Sequence, residues 1–240
     1  MGPKNFLYAT GAFVCLTIMA AAYVMMRPVE PRTYTLEFEA MSGNAPFVFD
    51  EFVHADPVGG EPFQLRDFRF YVSNIQLSDG EDVYVVPESY HLVRFDARRG
   101  KHEVVLPDVP LENVTNISLS IGLDPEANKT IMPLGDVDPN SRMAWNWAIG
   151  YKFLLVEGEL QSSTGLVPLV YHVGFDESLR QVSLGLESPS SEIAVAVDVM
   201  KLFDSRSTID LSQLSSIKMD RNDAAMMADN YATMLSAAAQ

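Results

Sequence analysis

Polar and apolar residues alternate along Thr33-Tyr34-Thr35-Leu36-Glu37-Phe38-Glu39-Ala40, the period-two pattern of a half-buried strand. The same alternation recurs in Phe68-Arg69-Phe70-Tyr71-Val72, in Asn116-Ile117-Ser118-Leu119-Ser120-Ile121 and in Gln181-Val182-Ser183-Leu184-Gly185-Leu186. Val83 to Val86, His91 to Phe95, Tyr151 to Val156, Leu166 to Val173 and Ile193 to Val199 add runs rich in β-branched and aromatic residues. Turn signals separate these runs: Ser78-Asp79-Gly80, Arg98-Arg99-Gly100, Glu157-Gly158 and Ser188-Pro189. Long helical periods are absent between them, so the pattern predicts an all-β fold, an antiparallel sandwich or barrel. Asp223 to Ala239 breaks the pattern: it is rich in Ala and Met, lacks Gly and Pro, and predicts a C-terminal helix. No repeat or low-complexity linker interrupts the body, which reads as one domain over residues 28–240.

The first 27 residues read as an address. After Lys4, Phe6 to Met26 is uncharged and ends at Arg27-Pro28; as a helix it would measure roughly 30 Å, one hydrocarbon core. Lys4 and the terminal amine favour a cytoplasmic N-terminus with the remainder exported. Length favours a retained signal anchor, and Ala20-Ala21-Ala22 favours a cleaved signal peptide. Either way the domain is expected in the periplasm, held at the inner membrane if the helix is uncleaved.

Composition narrows the function. The 240 residues hold 17 Lys+Arg against 32 Asp+Glu. Residues 1–27 contain two of the bases and no acid, which leaves the domain with a charge of −17. Such a surface repels phosphate backbones, which argues against nucleic-acid binding. The single cysteine, Cys15, lies in the N-terminal apolar run, which excludes disulfides, thiolate zinc sites and cysteine nucleophiles from the domain. No phosphate loop, nucleophile elbow or His-Glu-x-x-His helix is present, and no catalytic residue can be named. Asp136-Val137-Asp138-Pro139-Asn140 alternates oxygen-bearing residues but lacks the glycine and distal Glu of a calcium loop; turn capping is the expected role.

Four histidines remain. In Tyr90-His91-Leu92-Val93-Arg94-Phe95, His91 shares a face with Val93 and Phe95 and should point inward. His172 lies in the apolar run Val170-Tyr171-His172-Val173 and is expected inward as well. An imidazole on an apolar face is ordinarily a hydrogen-bonded core residue, yet two from different strands of a thiol-free exported domain suit Cu, Zn, Fe or Ni. His54, expected in a loop, would close such a site, whereas His102, after a hairpin turn, should be solvated. Both tryptophans fall in Met143-Ala144-Trp145-Asn146-Trp147, as large core side chains or, in a sharper reading, as indoles open to oxidation.

That block resembles the signature of the MbnP-like periplasmic copper-binding family, whose members are often encoded beside a di-haem peroxidase-like cytochrome c. The similarity continues in Phe68 to Leu77, Ile121-Gly122-Leu123-Asp124, Leu134-Gly135-Asp136-Val137-Asp138-Pro139, Gly150-Tyr151-Lys152-Phe153, Tyr171-His172-Val173-Gly174 and Ala228 to Met234. The resemblance implies a non-enzymatic copper binder with one copper ion. It implies a di-haem cytochrome partner that oxidises Trp145 or Trp147 to kynurenine at or near the metal. His172 matches the motif histidine; His91 and His54 are added from strand geometry. The chain departs from the family in having no cysteine in its exported part, and in carrying Asn128-Lys129 where some members have Asn-His. A second function class also fits: a membrane-tethered β-sandwich scaffold or interaction subunit, with histidines, tryptophans and Met226, Met227 and Met234 all in packing roles.

Overall fold

The computed structural model describes residues 30–146 and 149–238. The N-terminal segment 1–27 and Trp147 therefore lie outside the described residues. Among those described, no helix is long and apolar enough to cross a membrane.

Among the described residues fifteen strands follow one another, beginning with β1 (Arg32–Ser42), β2 (Ala45–Pro46), β3 (His54–Ala55), β4 (Pro62–Ser78), β5 (Val83–Val85), β6 (Tyr90–Phe95), β7 (Lys101–Val109) and β8 (Asn116–Ile121). Then come β9 (Ala144–Asn146), β10 (Gly150–Ser162), β11 (Gly165–Gly174), β12 (Arg180–Gly185), β13 (Glu192–Asp198), β14 (Ser216–Ile217), helix α1 (Arg221–Tyr231) and β15 (Leu235–Ala237). The smaller sheet runs β15-β13-β1-β2, with β7 also on β1; the larger runs β12-β8-β4-β10-β11-β14. The 17-residue β4 is the spine of the larger sheet, pairing also with β3, β5 and β6 along its length. The sandwich is mixed rather than purely antiparallel, because β1 pairs β13 and β11 pairs β14 in parallel.

Alternation places the main core between the sheets. Leu36, Phe38 and Ala40 of β1 face Phe68, Phe70 and Val72 of β4, with the Phe38 and Phe70 rings edge-to-face at 6.3 Å. A second, smaller core lies on the opposite face of the larger sheet. There Tyr71, Leu92, Tyr151, Phe153 and Leu155 are covered by Leu123, Ala127, Val137 and Met143 of the long connection between β8 and β10. Each of these buried apolar side chains contributes roughly 1.5–3 kcal/mol for the larger ones. The first part of this connection, up to Met143 and Ala144, is thus bound to the sheet by its own cluster, while Trp145 and Ile149 pack against the main core.

Three boundaries differ from the pattern-based expectation. Glu157-Gly158 is no turn: β10 passes straight through, with a register irregularity against β4. A Cβ on Gly158 would lie 2.1 Å from the Gln64 carbonyl oxygen, so the glycine allows close backbone approach. The C-terminal helix starts at Arg221, capped by Asp220, which accepts from the Asn222 and Asp223 amides, and it stops at Tyr231. The last residues leave the helix because Leu235 and Ala237 pair with Val197 and Val195 of β13. Met227 and Met234 are fully buried and Met226 packs on the same core, so these thioethers are packing groups.

Candidate metal centre

In β11, Tyr171 and Val173 enter the main core, which turns His172 to the other face of the larger sheet. Register confirms the side: His172 stands opposite Leu155 of β10, which stands opposite Arg69 of β4. His172 Nε2 lies 3.0 Å from Glu157 Oε1. Glu157 Oε2 accepts from Arg142 at 2.6 Å; Arg142 also donates to Asp67 at 2.6 Å, and Asp67 takes two further bonds from Arg69. The result is a continuous ladder of alternating charge leading to the imidazole.

Burial depresses the His172 pKa and outweighs the Glu157 hydrogen bond; Lys152 and Lys218 push the same way as burial. The ring is therefore neutral at pH 7. A carboxylate only accepts, so the hydrogen bond assigns the proton to Nε2 and leaves the lone pair on Nδ1. An imidazole oriented by a carboxylate through one nitrogen is the arrangement of a metal-ligating histidine with its outer-sphere partner. Burial raises the Glu157 pKa, but the bonds from His172 and Arg142 prevail and hold it below the usual carboxylate value.

The signature indole lies two residues along the strand. A Cβ on Gly174 would meet the Trp145 ring at 2.6 Å and the Tyr151 carbonyl oxygen at 2.5 Å, so only glycine admits the indole here. Trp145 also packs on Phe175 with centroids 5.3 Å apart. Lys152, 7% exposed, sends its ammonium to the carbonyls of Arg142 (2.6 Å) and Ala144 (3.3 Å) and stands 5.9 Å from the Trp145 ring centroid. Burial, with Arg142 beside it, lowers its pKa. Phe175 carries a positive φ of 72°, a strained conformation for an aromatic residue, at the point where the chain leaves β11 beneath the indole.

The other histidines do not join His172. His91 stands opposite Val72 and faces the main core as expected, and that places it on the opposite face of the sheet from His172. The expectation of two inward, converging imidazoles is corrected by strand parity: His172 faces outward. His102 is not solvated but half-buried; its partner Phe38 and its neighbours Val104 and Leu106 all turn to the main core. Burial is the main cause of its lowered pKa, and Arg99 and His91 add to it. His54 belongs to β3, not a loop; its ring stacks on Phe47 at 3.8 Å and its Nε2 lies 2.9 Å from the Val48 carbonyl oxygen. These contacts make it a packing residue.

Asn128-Lys129 lies beside the signature block. Asn128 accepts from the Tyr151 amide (2.9 Å) and donates to Asp176 (2.8 Å), while the exposed Lys129 ammonium stands 3.8 Å from Asp176. Asp138 caps its own turn, accepting from the Asn140 amide as expected, whereas Asp136 does not cap a turn but accepts from the distant Leu92 amide of β6. Among the described residues no three His, Cys, Asp or Glu side chains converge as a metal shell. The described donor set is one carboxylate-oriented imidazole beside an indole. Glu157, Arg142 and Lys152 escaped the pattern reading; the signal was an acid closing the apolar run Phe153-Leu154-Leu155-Val156, which marks a partner within a strand rather than a turn.

A mixed two-sheet β-sandwich with a tryptophan-bearing connection bound across one outer face defines the class of protein. The chain belongs to the MbnP family, whose model matches residues 31–222. Among solved structures it is similar to MbnP from Methylosinus trichosporium, with a TM-score of 0.58 and 17% identity over 80% of this chain and 82% of that chain. No curated protein matches it.

Proposed function

We propose that this protein is an extracytoplasmic copper-binding member of its family, not an enzyme, whose metal is anchored by His172 through Nδ1 with Glu157 orienting the ring. The observation that carries this reading is the His172–Glu157 hydrogen bond, which frees one imidazole nitrogen two residues from the glycine beneath Trp145. Imidazole suits copper, and a neutral ring needs no deprotonation to bind it. Bound copper would supply redox chemistry beside an indole. The chain's own part is to hold the imidazole neutral and fix the indole between Gly174, Phe175 and Lys152. Trp145 or Trp147 would be oxidised to kynurenine by a di-haem cytochrome partner in the periplasm, and the N-terminal segment would tether the domain to the inner membrane if retained.

Copper titration of the full chain and of His172→Ala tests the metal, and mass spectrometry of the Met143–Lys152 peptide from cells holding the partner tests the modification. Uptake lost in the variant with an unchanged fold supports the reading; no uptake by the parent protein overturns it. A second reading is favoured by the placement of His91 and His54 in packing roles: a metal-free scaffold or interaction subunit.

A further inference from the structure

Ile131 and Met132, at the tip of the β8–β10 connection, are 68% and 69% exposed, more than any other large apolar side chain reported for the described residues. The tip is held rather than loose. Thr130 Oγ1 accepts from the Met132 amide (3.2 Å) and donates to its carbonyl (3.1 Å), and the Tyr151 hydroxyl donates to the Thr130 carbonyl at 3.1 Å. Two large apolar side chains fixed in water are an unfavourable arrangement for a free surface and a favourable one for a contact.

The surroundings select the occupant. On one side lies a cleft walled by Pro139, Trp145 and Tyr151; on the other, a groove of about 420 Å³ bordered by Glu88, Glu126, Tyr90 and Leu134. Asp124 accepts from the Tyr90 hydroxyl at 2.7 Å, and its pKa is lowered because backbone amides and that hydroxyl outweigh its burial, so it is firmly ionised. Asp124, Glu126 and Glu88 together help raise the Tyr90 pKa to about 12, after burial, and Asp138 acts likewise on Tyr151. Lys129, which is exposed, lines both clefts and has its ammonium 3.8 Å from Asp176, so acids outnumber this one base around the tip; the ion pairs formed among the described residues include none of Glu88, Asp124, Glu126 or Asp138. An anionic membrane, a nucleic acid or a second copy of this acidic chain would meet that rim with like charge.

We infer that the Ile131–Met132 tip and its acidic flanks are the docking surface for a basic protein whose contact patch is apolar and ringed by lysines. The inference rests on the partner half of the function proposed above and is independent of the copper half. Its test uses metal-free full chain, with a lysine-ringed cytochrome c as the probe, by calorimetry at low and at moderate salt. The parent protein binds the probe, and affinity falls with salt. Ile131→Ser with Met132→Ser, and separately Glu88→Gln with Glu126→Gln, each weaken binding about tenfold. Glu103→Gln with Glu187→Gln, exposed acids elsewhere, leaves it within about twofold. All substitutions are on the surface, and circular dichroism confirms an unchanged fold. Absence of association at low salt, an unaltered affinity in the tip variant, or an equal loss in the control pair overturns the inference. Copper binding measured separately on the same variants stays at the parent level, so either proposal can fail without the other.

Discussion

His91 and His172 point to opposite faces of the same sheet. Val72 carries His91 in register on the main-core side, whereas Leu155 and Arg69 carry His172 on the outer side. Any metal held by His172 is therefore separated from His91 by the sheet itself. His172→Ala is expected to abolish copper uptake and His91→Ala to leave it intact. Copper titration followed by elemental analysis distinguishes the two. Because Glu157 keeps Arg142 as a partner, His172→Ala should lower stability by only about 1 kcal/mol.

Gly174 makes a sharper structural test. A methyl group there must displace both the Tyr151 carbonyl and the Trp145 ring, and backbone cannot yield as a flexible side chain does. Gly174→Ala should destabilise by about 1–3 kcal/mol and shift the tryptophan fluorescence. Denaturant titration and an emission spectrum check it; an unchanged midpoint and spectrum would count against the packing described.

Lys152→Met retains the aliphatic stem but removes the ammonium that joins the Arg142 and Ala144 carbonyls. Loss of two charge-assisted bonds, set against relief of a buried charge, should cost about 1–2 kcal/mol. Amide exchange should accelerate through residues 142–146 while β1 and β13 are unaffected.

All four histidines have pKa values lowered by burial as the leading cause. The unfolded chain, titrating near pH 6.5, binds their protons first, so stability is complete above that value and declines as pH falls through the lower folded values. The melting temperature should drop between about pH 7 and 5. Glu157, also lowered in the folded state, adds a further loss below its normal carboxylate range. Thermal melts across this range check the sign.

Much of the sandwich was visible in residue alternation, because each strand has one dry face. Leu36, Phe38 and Ala40 announce β1 without reference to any partner. β7 was missed: its outward Val105 is apolar and exposed, and Pro107 interrupts the signal, so period two fades where solvent tolerates valine. Glu157-Gly158 misled because glycine serves turns and close strand packing alike, and only the approach of Gln64 separates the two. The site was less legible. Parity within β11 depends on which of Tyr171 or His172 enters the core, and the sequence makes both plausible; the tyrosine goes in, with its hydroxyl bonded to the Leu214 carbonyl at 2.8 Å. Lys152, Arg142 and Glu157 come together through β9, a strand only three residues long.

The separate cluster beneath the β8–β10 connection divides the labour of the molecule. Leu123, Val137 and Met143 anchor that segment outside the layer between the sheets, and Trp145 and Ile149 at its end pack against the main core. Opening of the segment can therefore occur at a lower free energy than global unfolding. Its exposed positions are free to diverge, so that relatives on one scaffold can differ in what they grip and whom they meet while sharing an undisturbed interior.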